Sequence, residues 1–500
     1  MNIIQKYILK NINDSPFSNR IAMIDKNNKL ITWKQYSIFS LKFALSLLVL
    51  NITNSGVLIH CNNSSEWFIT YMGCILSSNY STGVYLTNSS KQCQHILKTS
   101  NSKILVIDTY DNFVKKYKEI FDKDKNLIAI IIENSDKLKS NRIYQWNNFL
   151  KNNIKLDDWM MIYKTKVSKI KNPLVTLIYT SGTTSNPKPV EIRVSNINFV
   201  VQSIIKKYYS TSYDLISSSE INNNEYIILS YLPLSHIAAQ IIDIITHLFM
   251  FGTIYFTDID VMSNLGNYLV KAKPTLFFGV PRVWEKIKEK IDLNYDNNSF
   301  KKLIFIFNKH LHNLYTYNLS FIFKISLIYL LYFVINSFMS ISLKKKLGFE
   351  RCKYFLSGGA PLDELVINYF NLFNINIKQI YGMSETTGII SLPDINNKIG
   401  SNGKILQGVN VKVVNDEILV KGPNVTNGYF NMTKKTKESI SNGWLKTGDL
   451  GKLDKQGNLY ITGRKKELVI TSGGENIPAL LIENKIKSYD TNRIIIDCML

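Results

Sequence analysis

The chain has 500 residues, 45% of them hydrophobic, and carries a formal net charge of +22. That length is too great for one ordinary core and points to about two or three domains, which the hydrophobic content is enough to fill. Lys, Asn, Ile and Tyr are spread along the whole chain, so the lysine excess forms no local patch; this argues against nucleic-acid binding and for affinity towards anions such as phosphates, CoA-like groups or acidic lipid.

Cysteines at 61, 74, 93, 352 and 498 make no C-x-x-C pair and no short even spacing, which points to a reducing compartment and to no metal cluster. The N-terminal "MNIIQKYILKNINDSPFSNR" sets apolar residues between charges and lacks the apolar block of a secretory signal. From 57 to 133 the short apolar runs "VLIH", "STGVYL", "KILVID" and "LIAIII" alternate with segments of helical length. Such alternation predicts parallel strands with crossover helices, an α/β fold.

"LVTLI" then runs into "YTSGTTSNPKP" (179–189), a strand ending in hydroxyls, one glycine and a lysine between two prolines. The strand-to-loop pattern recurs in "YIILSYLPLSH", "TIYFTDID", "PTLFFGVPR", "KYFLSGGAP" and "IKQIYGMSET". Ligand sites of open α/β sheets lie at such carboxyl ends. Residues 325–343, "ISLIYLLYFVINSFMSISL", carry no charge and are bounded by Lys324 and Lys344. They just reach spanning length, but a span would put the motifs on its flanks on opposite sides of a bilayer. A buried or membrane-surface helix is expected, with peripheral membrane contact, and a span is the alternative. From about 400 the strands shorten and glycines punctuate them, with tight turns at "NGW" (442–444) and "DKQG" (454–457), which predicts a β-rich subdomain. The expected boundaries are an α/β body over 1–399, the β-rich subdomain over 400–464, and a hinge with the start of a small α+β domain over 465–500.

The 179–189 stretch offers backbone amides, hydroxyls and a lysine to a polyphosphate without matching the Walker pattern; taken alone it is as well read as a capped polar turn. Other motifs follow it: "YLPLSHIAAQ" (231–240), "GVPRVWEKI" (279–287), "LSGGAPL" (356–362), "YGMSETTG" (381–388), "GWLKTGD" (443–449) and "YITGRKKELVITSGGENIPA" (460–479). In this order they resemble the adenylate-forming superfamily, and within it the long-chain and very-long-chain fatty acyl-CoA synthetases of the bubblegum type.

The resemblance implies a fatty acid CoA ligase that uses ATP, Mg2+ and CoA, on the cytosolic face of a membrane such as the endoplasmic reticulum. It implies that Thr180, Ser181, Gly182, Thr183, Thr184, Ser185, Asn186, Pro187 and Lys188 hold the outer phosphates. Glu385 would bind magnesium, with Thr386 near the α-phosphate and Gly382, Met383 and Ser384 beside them. Gly358, Gly359, Ala360 and Pro361 would meet the adenine and Tyr381 would stack on it. Asp449 would hold the ribose, with Arg464 as its cationic companion across the nucleotide. His236 would lie where the acyl carboxylate meets the adenylate, Trp284 would gate the acyl tunnel, and Lys466 would be the hinge. Taken alone, His236 reads as a core or loop histidine and Trp284 as ordinary core.

Three departures bear on turnover. Ser185 and Pro189 stand where that family has glycine, and proline removes an N–H, fixes φ and pushes Lys188 towards extended geometry. ATP binding then either survives or is crippled. The chain also ends at Leu500, ahead of the region where a C-terminal catalytic lysine would fall, and Lys485 and Lys487 come too early. The expectation is a C-terminally truncated relative. Its alternatives are a non-catalytic paralogue that binds ATP or fatty acid, and an adenylating enzyme for another carboxylic acid.

Overall fold

A computed structural model of the chain describes residues 1–12, 15–133, 140–151, 156–162, 173–182, 185–209, 225–258, 261–296, 327–394, 398–470 and 476–478. By contact it divides into two units that do not follow chain order. The first takes the described residues of 1–275, 383–388 and 423–438, and the second takes those of 276–382, 389–422 and from 439 onward.

The first unit is built on a seven-stranded sheet. Across it lie Ile143–Gln145, Ile128–Glu133, Ser102–Thr109, Gly56–His60, Tyr80–Gly83, Leu174–Gly182 and Ser185–Arg193, in that order. All neighbours are parallel except the last two, which form an antiparallel hairpin. Every residue of "GVLIH" is buried, as expected of a parallel strand covered on both faces. A four-stranded sheet in the same unit carries Ile227–Ser230 beside Thr253–Phe256, in parallel. The runs read from sequence as parallel strands are therefore parallel strands.

The 179–189 stretch departs from the strand-then-loop expectation. The strand continues to Gly182 and returns from Ser185, pairing Thr180 with Lys188 and Tyr179 with Pro189. Two prolines, and a lysine that proline holds extended, cannot turn into a helix, so the return segment stays a strand.

In the second unit, Leu276–Gly279, Tyr354–Ser357 and Ile377–Gln379 form a parallel three-stranded sheet. The β-rich region is an antiparallel sheet of Asn410–Val414, Glu417–Lys421, Ile440–Ser441, Trp444–Leu453 and Leu459–Arg464. Its hairpin turns use positive-φ pairs, Asn415–Asp416 and Asn442–Gly443. Two-residue hairpins select this geometry because its twist matches that of the strands.

Trp284 is fully buried in this unit, its Nε1 donating to the Leu356 carbonyl at 3.2 Å. Phe277 and Phe370 meet its ring edge-on at 5.1 and 5.2 Å. So placed, the indole packs the core, and swinging it as a gate would break that bond and empty its place. Replacing Trp284 by alanine is expected to cost about 3–5 kcal/mol of stability, read from the denaturant midpoint. A variant as stable as the native chain, with altered acyl preference, would restore the gate.

Candidate active site

In the first unit, the return strand of the hairpin is an edge that a distant segment completes. Val190 bridges Tyr429, with Glu191 N–H donating to the Gly428 carbonyl at 3.1 Å and Phe430 N–H donating to the Pro189 carbonyl at 2.8 Å. In an extended strand a residue's N–H and C=O face the same side. The donor that Pro189 lacks would thus point outward, away from Leu174–Gly182, and costs the inner ladder no bond. On that outer side Pro189 only accepts, from Phe430 N–H, and offers no donor in return, and the extended geometry it imposes on Lys188 is that of the strand. Gly428, at φ +145°, cannot be replaced freely, because a Cβ would run into the Thr436 side chain.

This pairing brings Lys188 and Glu385 to one tyrosine. Lys188 Nζ lies 5.1 Å from the Tyr429 ring centroid, and the Tyr429 hydroxyl donates to Glu385 Oε1 at 2.9 Å. Thr426 ties the segments together: its N–H donates to the Glu385 carbonyl at 2.8 Å and its hydroxyl to the Glu191 carbonyl at 2.6 Å. Glu385 sits buried on the short Ser384–Thr386 turn. Thr386 is also buried, its hydroxyl accepting from Met383 N–H and donating to Met383 C=O, both at 3.1 Å. Its hydroxyl therefore closes the turn.

Magnesium is usually held by one or two carboxylates together with substrate phosphates. Among the described residues no three or more His, Cys, Asp or Glu side chains gather as a metal site. The buried, oriented Glu385 carboxylate fits that pattern. Thr183 and Thr184 lie outside the described residues, as do the side chains of Ser181, Ser185 and Asn186.

His236 lies in the same unit, its Nδ1 2.9 Å from the Tyr85 hydroxyl. His236 is exposed, and the protein beside its imidazole lowers the ring's pKa by desolvation, while burial pushes the Tyr85 phenol up to about 12. Both are neutral near pH 7. In the tautomer where the phenol donates to Nδ1, Nε2 keeps a proton to offer a carboxylate. Behind this loop, Asn63 Nδ2 donates to Ser230 Oγ at 3.0 Å and to the Leu232 carbonyl at 2.8 Å, and Ser230 Oγ donates to Asp243 Oδ2 at 2.7 Å. The strand end packs close here: a Cβ on Gly83 would lie 2.8 Å from Ser235 Cα.

In the second unit, Tyr381 is buried and its hydroxyl donates to Asp449 Oδ2 at 2.7 Å. Arg464 Nε reaches Asp449 Oδ1 at 3.2 Å, so the two form a direct ion pair. Burial raises the Asp449 pKa, against the opposing Tyr381 hydrogen bond and Arg464 charge. Gly358 is buried, and a Cβ on it would lie 3.0 Å from Ile380, while Gly359, Ala360 and Pro361 are exposed. Gly382 follows Tyr381 in this unit, and Lys466 is exposed on the Lys465–Glu467 turn.

Sequence reasoning missed Tyr429, Thr426, Tyr85 and Asn63. Tyr429 is 44 positions from Glu385 and Tyr85 is 151 from His236. Tyr429 falls in the region read only as short strands punctuated by glycines, and nothing local says which edge it joins.

Asp243 makes a pH prediction. Burial raises its pKa from 3.8 to about 8. Below that interval folded and unfolded chains both hold the proton, and above it neither does. Within it only the folded chain holds the proton, so stability falls as pH rises. Asp243→Asn keeps the acceptor for Ser230 and removes the titration. The variant should gain on the native chain from about pH 4 to about pH 8, by a few kcal/mol in all, measured as the difference in urea midpoints. A pH-independent difference would contradict this.

Residues 11–430 match the family described as AMP-binding enzyme. The chain is 37% identical over 448 residues to long-chain-fatty-acid–CoA ligase ACSBG2 of Xenopus laevis, an alignment covering 86% of this chain and 58% of that protein. It is 32% identical over 494 residues to the Homo sapiens ACSBG2 ligase, covering 94% of this chain and 71% of that one. The chain thus spans well under two thirds of the frog relative's length. Among solved structures, it resembles ATP-bound MatB of Rhodopseudomonas palustris with a TM-score of 0.70 at 19% identity, covering 98% and 84% of the two chains. It also resembles the o-succinylbenzoate CoA synthetase of Bacillus subtilis bound to its acyl-adenylate intermediate, with a TM-score of 0.68 at 21% identity, covering 97% and 82%. At such identities the structural likeness bears on the fold alone, which is the adenylate-forming α/β fold. On the family match and the curated relatives together, this chain belongs to the AMP-binding enzymes, in their group of bubblegum-type long-chain-fatty-acid–CoA ligases.

Proposed function

We propose that the chain activates a long-chain fatty acid with ATP and delivers it to CoA. In the first step a carboxylate oxygen bonds to the α-phosphorus, the bond to the β-phosphate bridge breaks, and pyrophosphate leaves with the electron pair. In the second, the CoA thiolate bonds to the acyl carbon and AMP departs. Phosphoryl transfer of this kind needs positioning and neutralised charge more than covalent help.

The observation that carries this reading is the joining of Lys188 and Glu385 through Tyr429. Lys188 supplies a point charge to the departing phosphates. Glu385 would hold magnesium, which when bound neutralises the charge that builds on the phosphate oxygens. Neutral His236 donates a hydrogen bond to the acyl carboxylate and holds it without a salt bridge that would blunt its nucleophilicity.

The test is pyrophosphate release by the purified chain with ATP, magnesium and a panel of fatty acids, with and without CoA. Release that depends on fatty acid and falls about a hundredfold in Glu385→Gln is expected. ATP binding without release would leave a binding protein.

A further inference from the structure

From Val334 onward the helix Leu327–Leu347 in the second unit places some polar side chains on its buried side and apolar ones on its exposed side. Its inner side carries polar groups: Asn336 and Ser340 are buried alongside Met339 and Leu343. Its outer side carries apolar ones: Val334, Phe338 and Ile341 are 56%, 76% and 68% exposed. The spacings of four and three place these three on one stripe, and four residues on the same stripe brings the exposed Lys345. Single exposed apolar side chains are unremarkable, but a stripe of three above a partly polar inner face is the arrangement of an element with an apolar partner.

Charge beside the stripe points to which partner. The stretch "KKKLGFERCK" (344–353) holds five basic residues against one acid, and Lys345 and Lys346 are exposed. Lysines in a last helical turn also complement the helix dipole, which explains one or two of them. It does not explain the exposed apolar stripe that leads into them. Among the described residues no helix is long and apolar enough to cross a membrane.

We propose that the outer face of this helix is a docking surface for an anionic lipid membrane, with Phe338 and Ile341 entering the boundary between headgroups and acyl chains and Lys345 and Lys346 meeting the lipid phosphates. Apolar burial and attraction to acidic headgroups act together in such binding. The proposal is independent of the ligase reading, since it concerns where the chain sits and not what it catalyses.

The test is co-sedimentation of the full chain with phosphatidylcholine vesicles, with and without phosphatidylserine. Binding is expected on the acidic vesicles and weakened by salt. Phe338→Ser with Ile341→Ser should lower the partition coefficient about tenfold or more, and Lys345→Glu with Lys346→Glu should do so by at least about fivefold per lysine. Because these side chains are exposed, thermal unfolding should be nearly unchanged. A Phe338→Trp variant gives a second readout, a blue shift of emission on acidic vesicles. Failure to bind them with no shift, or binding that both double variants leave unchanged, would overturn the proposal. So would a shift that grows with protein concentration without lipid, which would assign the stripe to a second copy of the chain.

Discussion

The backbone bridge that 428–430 makes to the strand Ser185–Arg193 is the constraint on which the first unit's site depends. Two backbone hydrogen bonds, from Glu191 to Gly428 and from Phe430 to Pro189, fix Tyr429 against the hairpin. Tyr429 then serves two groups at once, its ring under Lys188 and its hydroxyl on Glu385. A lysine and a glutamate from segments far apart in the chain are so held around one rigid side chain. Side chains set on paired backbone are positioned more narrowly than side chains on free loops, which is what charge placed in advance for phosphates requires.

Burial sets the charge state of the polar groups around these sites. Desolvation holds Asp243 protonated up to about pH 8, and at the exposed His236 it only lowers the imidazole pKa from its ordinary value. Tyr381 is pushed well above the usual phenol range by burial and by Asp449, so it stays a donor to that carboxylate. The Tyr381 donor suits its carboxylate partner, whereas the hydrogen bond from Ser230 favours the Asp243 carboxylate and only partly offsets the desolvation that protonates it.

Much of this was legible in the sequence where the signal was local. The runs "VLIH", "KILVID" and "LIAIII" gave parallel strands because unbroken apolar segments of that length fit a sheet covered on both faces. "NGW" gave a hairpin because Asn and Gly tolerate its positive φ. What stayed hidden was pairing across long separations. The prolines of "SNPKP" looked hostile to a binding loop, yet the segment is an edge strand whose missing donor faces outward. Trp284 looked like a gate by family likeness, while its surroundings make it core. The return of 383–388 and 423–438 to the first unit could not be read at all, because it rests on hydrogen bonds such as those of the Asn196 amide to the Pro423 and Val425 carbonyls, which no local pattern encodes.

The most direct test of the account is the affinity for ATP, with and without magnesium, of the native chain and of Tyr429→Phe, measured by calorimetry. If Tyr429 orients the carboxylate that meets magnesium, the variant should lose about ten- to a hundredfold in affinity when magnesium is present and little when it is absent. Equal affinities for the two chains in both conditions would contradict the joining of Lys188 and Glu385 into one working site.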